Sequence, residues 1–529
     1  MAAARYDAVV IGGGHNGLVA AASFAKAGGR VLVVEASERL GGLAAAREIA
    51  PGVQAPAGPA LLHLLSPQVA RHLDLTRYGL SLVEREVETV ALRPGEPPLP
   101  IVAGDAALIR VAPRDAERLP EFEARLARLA GPLAPFLDRA PPRLHAKSWS
   151  GRLEHLKLAY AVRRIGRRDM RDLLRIVAMN AADLAEEVFT HPAVQGAIAF
   201  DAVLGHAVGP RSPGTVFNLL RRWVGHACGR PGTLAMPQGG MGAVIEAIVS
   251  AARAAGVEIR TRAPAARIHV TNAHVEGLAL ASGEEIATPT LLSSADPRRT
   301  LLDLLGPSHL DTDLVRELRC LRGDGINAKV NLLLGALPEF GLPPGRLRRA
   351  RLVLAPSLAQ LERAHDIAKY GGVPDEPALE AVIPTLADPS LAPPGKHLLS
   401  VTVQYTPRRL ASDDWAARRD ALGDRVTALL DGCAPGLSRL VEAREILTPL
   451  DIGREAGTDG GHWHHVEAGL DHTFWLRPVP QLAQYRTPLD GLYLCGAGTH
   501  PGGGFSGAAG ANAAHAALAD SRRPKRVRA

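Results

Sequence analysis

The sequence predicts an α/β fold: a Rossmann-like domain with a parallel sheet, and an α+β second domain inserted between its pieces. Three observations predict it. The chain opens on a strand, glycine loop, helix and strand, Tyr6 to Glu35. It runs to 529 residues, more than one hydrophobic core ordinarily holds. Its last strand, GLYLCG, leads into a second glycine-rich loop and a helix, with no room for a further domain behind them.

The first unit justifies itself residue by residue. YDAVVI, Tyr6 to Ile11, is short and β-branched, and a parallel strand buried on both faces reads as such an apolar run. GGGHNG follows, then the Ala-rich helix LVAAASFAKAGG, then the strand RVLVVE, Arg30 to Glu35. Gly12, Gly14 and Gly17 keep the spacing that permits a tight turn, close approach of a pyrophosphate and close helix–strand packing. His15 and Asn16 sit inside that spacing, where a helix start offers unpaired N–H groups and partial positive charge to phosphates. Glu35 ends the second strand, near the separation from Gly17 at which an acid accepts from a ribose hydroxyl.

The long centre is rich in Pro and Arg. LKLAYAVRRIGRRDMRDLLRIV, Leu156 to Val177, carries Arg163, Arg164, Arg167, Arg168, Arg171 and Arg175 in close succession. Leu153, Leu156 and Tyr160 share one helical face, as do Leu173, Leu174 and Val177. This segment reads either as a solvated helix face or as a basic amphipathic surface for anionic lipid. MPQGGMGAVIEAI predicts a glycine-led helix, VEIRTRAPAARIHVTNAHVEGLALASGEEI an antiparallel meander, and TLLSSADPRRTLLDLL a strand to Ser294, a turn and a helix. From about Arg319 to Arg477 the chain reads as mixed strands and helices. The expected division is 1–75, 225–305 and 480–520 for the nucleotide domain, 76–224 and 306–479 for the substrate domain, and 521–529 for a basic tail.

Composition limits the function classes. Hydrophobic residues make up 47% and charged residues 22%, an ordinary globular balance. Aromatics at 4% argue against extensive base-stacking surfaces, and no nucleic-acid motif accompanies the net charge of +7. Cys228, Cys320, Cys433 and Cys495 form no close pair, which argues against a disulfide framework, a zinc site or a dithiol redox centre. No apolar run approaches about 18 residues, so a spanning helix is not expected. With no secretory segment read at the start, the expected place is the cytoplasm, with membrane-surface contact open.

EASERLGG, Glu35 to Gly42, resembles the E-x-x-x-R-x-G-G stretch of the large flavoprotein family that includes amine oxidases and phytoene desaturases. GAGTHPGGG resembles the C-terminal flavin motif of bacterial phytoene desaturases and carotenoid ketolases, and MPQGGMGAVIEAI, SSADPRR, IPTLADPSLAPPG and FWLRPVP match in order. The resemblance spans nearly the whole chain. It looks closest to the pyridine nucleotide-disulphide oxidoreductase domain-containing type; that name implies a redox disulfide, which this chain has no cysteine pair to form.

The resemblance implies FAD, extended across a discontinuous domain of the glutathione-reductase/amine-oxidase type, beside a lipophilic tunnel. It implies Gly12, Gly14 and Gly17 at the pyrophosphate, Glu35 at the adenosine ribose, and Arg39, Gly41 and Gly42 along the phosphates. Ala265 is expected at the adenine, Gly496 and Gly498 at the pyrophosphate or ribityl chain, and Pro501, Gly503 and Gly507 under the isoalloxazine. The repeated glycine spacing at Gly502, Gly504 and Gly507 lacks a following strand and acid. It therefore reads as the far wall of one FAD site, not as a second one.

The implied chemistry is hydride transfer to flavin, or flavin-assisted desaturation or isomerisation, on a polyene-like or acyl substrate. His500, inside GTHPG, and His465 are the candidate catalytic residues; a metal role for the cluster His462, His464, His465 and His472 is not expected. Two other classes share the fold: escort proteins that have lost the flavin, which intact glycines and Glu35 argue against, and oxygen-using amine oxidases, for which Cys495 leaves a covalent link open. The expected partner is a lipophilic small molecule, with peripheral contact to an anionic membrane left open; nucleic acid is not expected. Oligomeric state is not readable.

Overall fold

The computed structural model describes residues 6–142, 149–225, 229–412, 414–458 and 460–522. Cys228 and most of the basic tail lie outside the described residues. The strands that build the site are, in chain order, β1 (Ala8–Ile11), β2 (Val31–Val34), β3 (Glu88–Ala91), β4 (Leu99–Pro100), β5 (Glu258–Arg260), β6 (Leu291–Ser293), β7 (Asn327–Leu334), β8 (Ala350–Leu354), β9 (Leu379–Val382), β10 (His397–Gln404), β11 (Val441–Leu447) and β12 (Leu492–Leu494). The helices that matter are α1 (His15–Lys26), α2 (Trp149–Arg164), α3 (Gly166–Ile176), α4 (Pro192–Val203), α5 (Thr215–Trp223), α6 (Gly240–Ala254) and α7 (Ala508–Ser521).

β1 and β2 are wholly buried, as their apolar runs require, and lie at the centre of a parallel sheet ordered β12-β6-β1-β2-β5. Three distant parts of the chain thus share one sheet. α1, α6 and α7 cover one face, with Leu18, Val19, Val244, Ile248, Ala513 and Ala517 in the core. The other face carries the meander of Ala265–Thr271, His274–Leu280 and Glu285–Ala287.

Two local expectations need correction. VEIR does not join the meander: Glu258–Arg260 pairs in parallel with β2, because its register against Leu32–Val34 extends the buried sheet. The segment after SSADP closes as a π-helical turn, Arg299–Leu304, and not as an α-helix.

The second sheet is mixed and seven-stranded, ordered β11-β7-β10-β9-β8-β3-β4. β7 and β10 run as long antiparallel partners, Asn327 opposite Gln404 and Leu334 opposite His397. Helices including α4 and α5 pack on one side of it. Val53 and Ala55, on the hairpin Ala46–Ala50/Val53–Pro56, share a small core with Leu333 and Leu398 and so pack the hairpin on the seven-stranded sheet. Among the described residues no helix is long and apolar enough to cross a membrane.

Candidate active site

A cavity of about 610 Å³ lies between the two sheets, outside the carboxyl ends of β1 and β2. Open α/β sheets bind ligands there. Ile11, Gly12, Gly14, His15 and Asn16 line it from the β1–α1 turn, and Val34 and Glu35 from the end of β2.

The glycines of the first loop divide the work. Gly12 has φ +94°, a backbone that disfavours any side chain. Gly17 is a packing glycine: a Cβ there would overlap the Gly12 carbonyl oxygen, and it does not line the cavity. Gly14 caps α1 with an extended backbone, no side-chain cap, and open space where a Cβ would stand. It is the glycine that leaves room for a ligand against the helix start. Glu35 accepts from Gly13 N at 2.6 Å and from Ser37 N at 2.7 Å. Those two bonds fix its carboxylate at the cavity wall.

Gly41 N donates to Gly13 O at 2.8 Å, which lays the Arg39–Gly42 stretch against the first loop. Arg39, Gly41 and Gly42 all line the cavity, Arg39 as an exposed residue at its rim. Ala265, half-buried at the start of the meander, lines it too.

The C-terminal loop closes the far side through Ala497, Gly503, Gly504 and Phe505. A Cβ on Gly503 would strike the His464 ring, so this glycine lets His464 lie on the loop. His15 stacks on Phe505 with centroids 4.4 Å apart, joining both ends of the chain across the site. Burial pushes the His15 imidazole down to about 4 and so keeps it neutral. Gly496, Gly498, Pro501 and Gly507 stand behind the lining. Gly496 packs on the Ser294 carbonyl, Gly498 on Pro297, and Gly507 on Val69 and Val19 at the start of α7.

The two candidate histidines part company. His465 lines the cavity half-buried, and its buried Nδ1 has no partner among the described residues. Burial lowers its imidazole to about 4. His500 does not line the cavity. Its Nε2 is 2.7 Å from Phe136 O and its ring leans on Phe474, a loop-fixing role.

Sequence reading missed the opposite wall. Asn218, Arg221 and Arg222 of α5 line the cavity with Asp201 of α4, Arg351 of β8, Glu380 of β9, and His63. His206, just after α4, also lines it, and its Nδ1 is 2.5 Å from Oε1 of the buried Glu467. Glu467 further accepts from the Ala207 and Ala468 amides and meets His462 Nε2 at 3.3 Å. Burial holds the His206 imidazole below its usual range, with Glu467 pulling it back up. Glu467 lies well below the carboxylate range: burial opposes this, and His206, above all, holds the charge. The pair is thus a neutral imidazole donating Nδ1–H to a carboxylate. Nothing in the sequence flags it except a buried-looking glutamate within HHVEAG.

The residues present fit an extended dinucleotide. A glycine backbone forms the turn at the phosphate end, where Gly14 leaves a Cβ-sized space. Asn16 Oδ1, Asn218 Oδ1, His464 Nδ1 and His465 Nδ1 are buried along the cavity with no partner among the described residues, so the site holds unmet polar groups from end to end.

The comparisons agree. The chain is 36% identical to pyridine nucleotide-disulfide oxidoreductase domain-containing protein 2 of Rattus norvegicus, over 98% of this chain and 94% of that one. It is 27% identical to the lycopene-forming phytoene desaturase of a Paracoccus species, over 57% of each. The solved structure of cyclohexylamine oxidase from Brevibacterium oxydans superposes with a TM-score of 0.58 at 16% identity, covering 98% of this chain and all of that one, and so shares its fold. The family model described as flavin containing amine oxidoreductase matches residues 17–319. The chain therefore belongs to the flavin-containing amine oxidoreductase family: it is an FAD-dependent oxidoreductase.

Proposed function

We propose that the protein dehydrogenates a hydrophobic acyl substrate, removing two hydrogens from neighbouring carbons to leave a C=C bond. The observation that carries this reading is His206 on the wall of the cavity, its Nδ1 2.5 Å from Oε1 of the buried Glu467. Bound FAD supplies a two-electron hydride acceptor. The second hydrogen leaves as a proton, and an imidazole whose Nδ1–H is given to a carboxylate presents Nε2 as the base. Glu467 then balances the imidazolium that forms. Leu61, Leu64, Leu204, Leu234 and Leu304 line the same cavity, which suits an apolar body and excludes water from the reacting carbons. The charged far wall favours an acyl compound with a polar end over an all-hydrocarbon polyene.

Anaerobic titration of the yellow holoprotein with acyl compounds, carotenoids and amines tests this directly. Loss of oxidised-flavin absorbance with an acyl compound is expected, slowed at least ~100-fold in His206→Asn, the usual scale for a lost general base. Reduction by amines alone, or an undiminished rate in His206→Asn, rules the reading out.

A further inference from the structure

The far wall of the cavity is charged, and its charges do not balance. α5 turns Asn218, Arg221 and Arg222, positions i, i+3 and i+4, onto it. Arg351 is 1% exposed and doubly engaged, with Nη2 2.6 Å from Asp201 Oδ1 and Nε bonded to Glu380. Both wall carboxylates are spent on it. Arg222 is left 3.9 Å from Asp201 Oδ2, the outer edge of ion pairing, and gives Nη1 to Gly232 O at 2.8 Å.

Arg221 has no carboxylate within 4 Å among the described residues; its bond goes to the Gly503 carbonyl. It is only 8% exposed. Glu467, whose charge reaches it from beyond ion-pair distance, is hydrogen-bonded by His206 and His462. Behind the wall, Lys329 of β7 is buried and donates to Thr402 Oγ1 at 3.3 Å. Among the described residues, Arg221, Arg222, Arg351 and Lys329 thus face three carboxylates: Asp201, Glu380 and the more distant Glu467. A buried cation without a counter-charge is costly, and a ligand anion removes that cost.

The wall also refuses further positive charge. His63, in the same cavity, is held neutral by burial and by Arg222, Arg221 and Arg351. A protonated amine would meet the same repulsion.

We propose that this wall is a carboxylate subsite, in which Arg221 and Arg222 receive the anionic end of the acyl substrate. The planar guanidinium fork matches a carboxylate in two parallel bonds. The assignment rests on the acyl reading above, and it sets where along the chain the hydrogens leave, because one end is pinned.

Equilibrium dialysis of the FAD-loaded protein with labelled dodecanoate, dodecan-1-ol and dodecylammonium, each below its micellar concentration, tests it. Dodecanoate is expected to bind at least ~10-fold more tightly than the alcohol, the scale of a charge-assisted pair, and the ammonium more weakly than both. Arg221→Met and Arg222→Gln proteins that retain FAD are expected to lose most of that preference. Equal binding of acid and alcohol by the unaltered protein overturns the subsite, whether or not the variants fold. So does an Arg221→Met protein that holds FAD and keeps the full preference. Selective dodecanoate binding without any flavin reduction by acyl compounds sinks the dehydrogenase reading and leaves the subsite standing.

Discussion

The three glycines of the first loop share a motif but not a task, and single substitutions separate them. Alanine at Gly17 drives a Cβ into the Gly12 carbonyl oxygen, so the helix must move off the strand. Overpacking of this kind costs on the order of 1–3 kcal/mol. Alanine at Gly14 meets nothing among the described residues and needs no unusual backbone. Gly14→Ala is therefore expected to keep the apoprotein's thermal midpoint while weakening FAD at least ~10-fold, the scale of one displaced phosphate contact, and Gly17→Ala to lower both. Calorimetry of apoprotein beside flavin titration reads the difference; a Gly14→Ala protein with normal FAD affinity contradicts the assigned roles. Glu35→Ala removes an acceptor held by two backbone amides. A charged hydrogen bond is worth about 1.5–3 kcal/mol, so FAD retention should fall roughly 10- to 100-fold. An unchanged FAD dissociation constant would remove Glu35 from the ribose.

At the scale of elements, the end of α4 meets the His462–Glu467 loop, and that meeting sets a pH response. The His206 imidazole lies below its usual range through burial, and Glu467 raises it against that burial. A base with a lowered pKa stays competent through neutral pH and fails as pH falls below the ordinary imidazole range, about 6.5. Glu467→Gln removes the one charge that lifts His206, so the acid limb of kcat/KM should move to lower pH while the maximum falls. A limb that moves upward excludes the pair. Stability follows the carboxylate itself. Glu467 lies below its unfolded value, so its contribution is full above about pH 4.5 and lost as pH falls through the folded pKa. The stability of Glu467→Gln, read as its thermal midpoint at each pH, should therefore fall less steeply below about pH 4.5 than that of the unaltered protein.

At the scale of the whole molecule, the sequence exposed one half of the site and hid the other. Gly12, Gly14, Glu35, Arg39 and Gly41 were legible because a loop, a helix start and a strand end sit in one short continuous stretch, each with its own local rule. Arg221, Asp201, Arg351 and Glu380 were not. They come from α5, α4, β8 and β9, well separated along the chain, and nothing local separates a buried arginine from a surface one. The meander lost VEIR to the parallel sheet for the same reason: its pairing is decided by β2, a strand from the far N-terminal end of the chain. The Arg-rich segment shows the converse, since its character was local. Leu173 turns inward with Ile176, whereas Leu174, its expected companion, is 68% exposed. Leu153, Leu156 and Tyr160 of α2 stand exposed, and so do Arg163, Arg164, Arg167, Arg168 and Arg171; Arg175 is committed to Glu187 at 2.7 Å. We propose that this face meets an anionic bilayer, because an apolar stripe beside a cluster of arginines is the composition such helices share. Each such cation contributes about 1 kcal/mol near the surface and is screened within a Debye length. A lipid-borne acyl substrate would then be met where it dissolves. The expected result is co-sedimentation with phosphatidylglycerol vesicles at low salt and release at high salt. Replacing Arg163, Arg164, Arg167 and Arg168 by serine should abolish the salt-sensitive part, and Leu156→Ser with Tyr160→Ser the remainder. Binding that ignores both salt and the four serines would mean that this face meets no membrane.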